Sequence, residues 1–130
     1  KAKLHSFKRN REKIHQQAEE FMQNLITTEI IGILVCVLGI LNMSGNISSL
    51  HKYHRHRVSE ENKKPFGKLV GGGTLIVGVG LIVYGVLTFL AEQAQSMPLE
   101  IVGICVLISA IIVGMIIVFY GIKKYNGGIF

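Results

Sequence analysis

Apolar residues in this chain fall into long blocks that are separated by short polar segments. Residues 69–91 form one run without a charged residue, and residues 101–122 form a second such run. A helix rises about 1.5 Å per residue, so roughly 20 residues cross a hydrocarbon layer that is about 30 Å thick. Both runs therefore predict transmembrane helices.

A third apolar block lies nearer the amino terminus. Residues 30–41 read IIGILVCVLGIL, and the uncharged stretch continues through Asn42, Asn46 and Ser49. In one continuous helix these three polar residues share a face, because they are spaced by four and three. Such a face needs burial between helices, since unsatisfied polar groups that face lipid are costly. We predict a spanning helix over residues 26–45.

These patterns predict an all-α integral membrane protein with three transmembrane helices in a compact bundle and an N-terminal amphipathic helix. We divide the chain into an amphipathic helix over residues 1–25 and a membrane domain over residues 26–130. Pro65 and Pro98 suit the first turns of the second and third spans, because a proline there gives up no intrahelical hydrogen bond. The spans are placed at 26–45, 69–91 and 99–122, with a basic loop at 46–68, an acidic loop at 92–98 and a basic tail at 123–130.

The segment before the first span has a narrow apolar seam with helical spacing. Arg11 interrupts the seam, and the remaining faces are polar. One interpretation is a helix that lies on the membrane surface. The other is an arm that docks onto a partner protein or a second copy of the chain. The seam consists of Leu4, Phe7, Ile14, Ala18, Phe21 and Leu25.

Small residues recur at heptad spacing in all three predicted spans. Apolar attraction between helices is weak in lipid, so close backbone approach through small residues supplies much of the packing energy. We interpret these residues as helix-packing positions rather than as the lining of a pore. They are Gly32 and Gly39 in the first span, Gly71, Thr74, Gly78 and Gly85 in the second, and Gly103, Ala110, Gly114 and Gly121 in the third.

Charge predicts the orientation of the spans. The formal net charge is +6, and lysine and arginine are concentrated before the first span and between the first and second. The loop at 92–98 has none, so the positive-inside rule places it outside and the loop at 46–68 and the carboxyl terminus in the cytoplasm. Three spans then place the amino terminus outside, although residues 1–13 are themselves basic.

The loop at 46–68 holds the densest group of polar side chains. His51, His54 and His56 are candidate metal ligands or pH-sensing groups, but basic residues alternate with them and would repel a divalent cation. The favoured interpretation is contact with anionic lipid headgroups. The residues in that role are Lys52, Arg55, Arg57, Lys63, Lys64 and Lys68, together with Lys123 and Lys124 in the tail.

Glu29 is the single carboxylate at the edge of the first span. A membrane carboxylate can bind a cation or proton in a transporter, whereas the simpler interpretation is an interfacial residue at a span boundary. The sequence has no triad, paired-carboxylate or metalloprotease pattern, so we expect no enzymatic activity and no cofactor. Nucleic-acid binding is not expected, because the basic residues are few and a membrane segment follows at once.

The order of features resembles small bacterial multi-span membrane proteins of uncharacterised families. The resemblance covers about residues 30–126, with LHKYHRHRVSEENKKPFGKLVGGG entering the second span and FYGIKKYN ending the third. The amino-terminal segment is an extension outside it. The resemblance implies a location in the bacterial plasma membrane and no functional residues.

Three hypotheses for function follow. The leading one is an accessory or interaction subunit that binds another membrane protein through the arm and the small-residue faces. The second is a small homo-oligomeric transporter or channel, in which Glu29 and the face of Asn42, Asn46 and Ser49 line a path. The third is a metal or pH sensor at the histidine loop.

Overall fold

The computed structural model describes residues 2–48 and 57–127, which contain three long helices and no strand. The helices are α1 (Ala2–Met43), α2 (Lys63–Ala94) and α3 (Met97–Asn126), and a short 3-10 turn (Glu60–Asn62) precedes α2. Each long helix is long and apolar enough to cross a membrane. The prediction of three candidate spans in an all-α protein is confirmed.

The end of α1 differs from the sequence-based expectation. The helix ends at Met43, and Gly45 then adopts a left-handed backbone with φ +93° that turns the chain away. Asn42 is 3% exposed, whereas Asn46 lies beyond the helix and is exposed. Ser49 lies outside the described residues. The predicted helical face of Asn42, Asn46 and Ser49 is therefore wrong, because the turn at Gly45 separates its members.

The amino-terminal segment is not a separate helix. Helix α1 runs from Ala2 to Met43 without interruption, so the apolar seam and the first span share one axis. No proline lies within it, and proline is the commonest cause of a sharp kink. An N-terminal amphipathic helix with its own orientation is not shown.

A tight turn joins α2 to α3. Gln95 closes α2 in the left-handed region with φ +49°, and its backbone N–H donates to the carbonyl oxygens of Ala91 and Glu92. Ser96 precedes α3 and its carbonyl accepts from the N–H groups of Leu99 and Glu100, although its side chain makes no capping bond. A connection this short makes α2 and α3 antiparallel neighbours.

Helix α2 is the centre of the fold. Helix α1 packs on one side of it and α3 on the other, and no comparable contact joins α1 to α3 within the described ranges. This differs from a compact bundle in which every helix touches both others. The glycines of α2 explain the arrangement, because two glycine rows lie on nearly opposite faces of the helix.

The two ends of the molecule are packed differently. At the end where α1 finishes, a buried cluster joins the segments around Ile47 and Val58 to Phe66 and Val70 of α2 and Ile122 of α3. Phe66 is fully buried. At the opposite end, beside the α2–α3 turn, the helices leave open clefts. The end where α1 finishes therefore holds the buried apolar cluster, and the end beside the α2–α3 turn holds the clefts and the polar residues described below.

Candidate functional site

One glycine row of α2 brings α1 into close contact. A Cβ atom built on Gly78 would lie 2.7 Å from Cys36 Sγ and 2.8 Å from the Cys36 backbone nitrogen. Near the ends of this contact, Gly71 faces the backbone of Gly39 and Gly85 faces the side chain of Glu29. Because the spacing between backbones is this small, the position of each α1 residue relative to α2 is fixed.

The second glycine row of α2 faces α3 and was missed by the sequence analysis. A Cβ atom on Gly73 would lie 2.5 Å from the Gly114 carbonyl oxygen, and one on Gly80 would overlap the Ala110 methyl group. Gly67, also missed, meets the Asn42 carbonyl oxygen. The seven-residue spacing from 73 to 80 is the same as that from 71 to 78, so the pattern was present in the sequence on a second face.

The other predicted packing residues also lie where helices meet. Gly32 of α1 faces Leu81 and Ile82, and Thr74 of α2 bonds its own helix, its hydroxyl donating to the Val70 carbonyl oxygen over 2.8 Å. On α3, Gly103 lies against Leu87 and Tyr84, and Gly121 lies against Leu69.

The contact with Gly85 places Glu29 beside the uncharged part of α2. A side chain on Gly85 would overlap Glu29 Oε1, so the carboxylate occupies the space that the glycine leaves. Gly85 precedes Ala91, the last residue of the uncharged run, by six residues. At about 1.5 Å per residue, the carboxylate lies roughly 9 Å inside that run. Glu29 therefore lies level with the uncharged part of α2, and its position relative to a membrane boundary stays a prediction.

Two side-chain oxygens beside this contact are buried without a hydrogen bond. They are Glu29 Oε1 and Thr88 Oγ1, and neither has a donor or acceptor partner among the described residues. Thr88 follows Gly85 by three residues, so both lie on one face of α2. Other hydroxyls in the spans are satisfied locally: Thr28 donates to the Asn24 carbonyl over 2.9 Å, and Ser109 donates to the Cys105 carbonyl over 2.7 Å. Thr88 differs from them.

Two clefts adjoin Thr88. A small cleft of about 100 Å³ lies between α1 and α2 and is lined by Asn24, Tyr84, Gly85 and Thr88, among others. A larger cleft of about 380 Å³ lies beside the α2–α3 turn, and its lining includes Glu92 and Glu100. Thr88 and Phe21 line both clefts. The two clefts therefore share Thr88, and the smaller one is also lined by Gly85, which contacts Glu29.

The amino-terminal part of α1 extends past the α2–α3 turn. Every residue from 3 to 20 is exposed, and we call this segment the arm. Leu4 and Phe7 are each 67% exposed and Ile14 is 66% exposed. Ala18 is exposed, while Phe21 and Leu25 are half-buried beside the clefts. The predicted seam is thus divided between the exposed arm and the part of α1 that packs beside α2, and Ile14 and Ala18 line a cleft with Glu92 and Gln93 where the two parts meet.

The predicted headgroup-facing residues that are described lie at the opposite end. Lys64 and Lys68 at the start of α2 and Lys123 and Lys124 at the end of α3 are exposed, as is Arg57. Lys63 forms an ion pair with Glu60 over 2.5 Å. The remaining residues of the loop site, His51, Lys52, His54, Arg55 and His56, lie outside the described residues.

Metal binding at His51, His54 and His56 therefore stays a prediction. Among residues 2–48 and 57–127, no group of three histidine, cysteine, aspartate or glutamate side chains could hold a metal ion. Cys36 is half-buried against α2 and Cys105 is exposed on α3, and both are free thiols.

No protein-family model, curated protein or solved structure matches the chain. The resemblance to small bacterial membrane proteins therefore stays a prediction. Function has to be argued from the geometry of the arm and of the Glu29 region.

Proposed function

We propose that the chain is a non-enzymatic membrane subunit that binds another membrane protein through its arm. The observation that carries this proposal is the exposure of a regular apolar seam on a helix that projects from the membrane part. Three large side chains of the seam, Leu4, Phe7 and Ile14, are each about two-thirds exposed. Exposed apolar side chains that repeat along one face of a helix are typical of a surface that another helix covers.

The continuity of α1 favours a protein partner over the membrane surface. A helix that crosses the bilayer and continues without a break leaves the bilayer along its own axis. An interfacial helix instead lies in the plane of the headgroups. With no proline to bend α1, the arm extends into the aqueous phase, where its seam is left uncovered.

The spacing of the seam indicates a coiled-coil partner. Leu4, Phe7, Arg11, Ile14 and Ala18 alternate in steps of three and four, which places them at a and d positions of a heptad. Arg11 occupies an a position, and its guanidinium lies 5.8 Å from the centre of the Phe7 ring. A polar residue at a specifies the partner and register at a cost in stability.

The charges beside the seam identify the partner chemistry. Lys3 and Lys8 occupy the flanking g and e positions, and in a parallel pair of two copies they would face each other. The arm's acidic residues, Glu12, Glu19 and Glu20, occupy outer b and c positions and cannot neutralise them. We therefore assign the seam to a partner helix with acidic residues at its flanking positions, rather than to a second copy.

The small-residue faces are a weaker candidate for partner binding than the arm. Gly78 is buried against α1, and Gly73 and Gly80 are buried against α3. The outward faces of the spans carry bulky aliphatic side chains such as Ile112 and Ile116, which are 54% and 61% exposed and suit contact with lipid tails. Specific recognition is then concentrated in the arm.

The proposed location is the bacterial plasma membrane, with the basic loop in the cytoplasm against anionic headgroups. Lys64, Lys68, Lys123 and Lys124 support this, because they are exposed at one end of the helices. The arm and the acidic α2–α3 turn lie at the other end and are assigned to the outer side.

The test is co-purification at native expression in a mild detergent. We expect the wild-type chain to isolate with one membrane protein in stoichiometric amount, and the partner to contain a heptad helix with acidic flanking positions. The double substitution Phe7→Ala and Ile14→Ala should remove the partner, because it removes two seam side chains without altering the spans. Binding should also weaken as salt is raised.

The matched control changes the opposite face of the arm, with Arg9→Ala and Gln16→Ala at outer f positions. This control should keep the partner. Isolation of the wild type only as a monomer or as a homodimer would contradict the proposal, as would a partner that survives the loss of Phe7 and Ile14.

A further inference from the structure

We propose that Glu29 and Thr88 bind a monovalent alkali metal cation between α1 and α2. The site is separate from the arm, and its existence does not depend on the proposed partner. Its basis is the pair of buried, unpartnered oxygens near Gly85 and the two clefts that Thr88 lines.

The first observation concerns the charge of the Glu29 carboxylate, which no neighbouring side chain balances in the described part of the chain. A carboxylate within a membrane-spanning layer is costly unless a positive charge or hydrogen-bond donors compensate it. No lysine, arginine or histidine occurs in residues 21–43, 69–91 or 101–122. The layer around Glu29 thus supplies no positive side chain. One monovalent cation would neutralise the single negative charge, whereas a divalent ion would leave an uncompensated positive charge.

Glu29 and Thr88 supply oxygen atoms of the kind that bind alkali metal cations. Hard cations prefer oxygen ligands such as carboxylates, hydroxyls, amide carbonyls and water. Glu29 Oε1 and Thr88 Oγ1 are both buried and have no competing hydrogen bond among the described residues. The cleft of about 100 Å³ that Gly85 and Thr88 line has space for water that would complete the coordination.

Gly85 leaves the space that the Glu29 carboxylate occupies. A Cβ atom there would overlap Glu29 Oε1, and Gly85 also lines the small cleft. Glycine therefore allows the carboxylate to approach the backbone of α2 one helical turn from Thr88. A larger residue at position 85 would displace the Glu29 carboxylate from this part of α2.

The clefts beside Thr88 give a cation access from the surface. Thr88 lines both the small cleft and the larger cleft beside the α2–α3 turn. Glu92 and Glu100 are exposed at the larger cleft, and acidic side chains at an opening raise the local concentration of cations. A cation entering there would reach Thr88, which lies one helical turn from the contact between Gly85 and Glu29.

The test measures thermal unfolding of the full chain in detergent at constant ionic strength, with sodium, potassium or choline as the cation. Sodium or potassium should raise the midpoint by several degrees relative to choline, because a ligand that binds only the folded state stabilises it. Glu29→Gln should abolish this difference. Thr88→Val should weaken binding of radiolabelled sodium or potassium by about tenfold or more, since it removes one ligand while keeping the side-chain volume.

Two controls separate a specific site from general charge effects. Glu19→Gln removes a carboxylate from the exposed arm, and Thr74→Val removes a hydroxyl that is already bonded to Val70. Both should keep the cation response. The proposal is overturned if the wild type unfolds at the same temperature in all three salts, or if Glu29→Gln and Thr88→Val respond as the wild type does. Cation binding that persists in the Phe7→Ala and Ile14→Ala double variant would show that the cation site does not depend on the arm.

Discussion

At the scale of single residues, the glycines of α2 differ sharply in what surrounds them. A Cβ atom built on Gly78 would meet the backbone of α1 and one on Gly73 the backbone of α3, whereas one on Gly72 would meet no atom of a neighbouring helix within 4 Å. The same residue type thus has a packing role at two positions and none at the third. Composition alone cannot separate these cases, because all three lie in one uncharged run.

This difference predicts opposite effects for two alanine substitutions in one helix. Gly78→Ala should lower the free energy of unfolding by about 1–3 kcal/mol, because the new methyl group meets the Cys36 backbone nitrogen at 2.8 Å. Gly72→Ala should leave it unchanged or raise it by up to about 1 kcal/mol, since alanine favours helix and meets no neighbour. Denaturant titration in detergent would measure both. Equal effects would contradict the assigned helix contact.

Glu29 illustrates what residue spacing can and cannot predict. The sequence identifies it as the carboxylate nearest the first apolar block, but its depth depends on the alignment of α1 with α2. Only the contact with Gly85 shows that it lies inside the uncharged stretch of the neighbouring helix. Small-residue spacing marks Thr88 as a packing position, but the burial of its hydroxyl without a hydrogen bond could not be predicted from the sequence.

At the scale of elements, α1 combines two environments on one axis. Its arm is exposed on all sides, while residues such as Gly32 and Gly39 are buried against α2. Most helical stability in proteins comes from tertiary packing, so continuity with the packed part of α1 helps to keep the exposed arm helical. The periodicity predicted the helix, but an amphipathic pattern does not reveal whether two helical segments are continuous.

The heptad assignment of the arm predicts a change in oligomeric state. Arg11→Leu should promote self-association, because it places an apolar residue at the one interrupted a position of the seam. The control Arg9→Leu adds the same side chain at an outer f position and should leave the oligomeric state unchanged. Light scattering of the detergent-solubilised protein at several concentrations would distinguish them. Identical masses for the two variants would argue against the heptad assignment.

At the scale of the whole molecule, the fold is a row of three helices with α2 in the middle. The number of spans followed from the length of the uncharged runs, which is why it could be predicted. Which helix packs on which face of α2 could not be predicted. Glycine rows on two faces indicate that two helices pack there, but they do not show which helix takes which face. The cleft between the arm end of α1 and the α2–α3 turn depends on this arrangement.

The assigned orientation predicts which sites a membrane-impermeant thiol reagent reaches in intact cells. With Cys36 and Cys105 replaced by alanine, Ser6→Cys on the arm and Gln93→Cys near the α2–α3 turn should both be labelled. Lys124→Cys should be labelled only after the membrane is opened, because the positive-inside rule places that end in the cytoplasm. Labelling of Lys124→Cys without labelling of Ser6→Cys would reverse the orientation.

The continuity of α1 also has a mechanical consequence. A helix without a break transmits rotation about its axis, so torque applied to the arm reaches the segment that carries Glu29. Gly85 holds the carboxylate at close range and leaves little tolerance for such a turn. A partner that grips and twists the arm would therefore move the Glu29 carboxylate relative to Gly85. Under the two proposals above, partner binding at the arm and cation binding at Glu29 would be mechanically coupled through the single axis of α1.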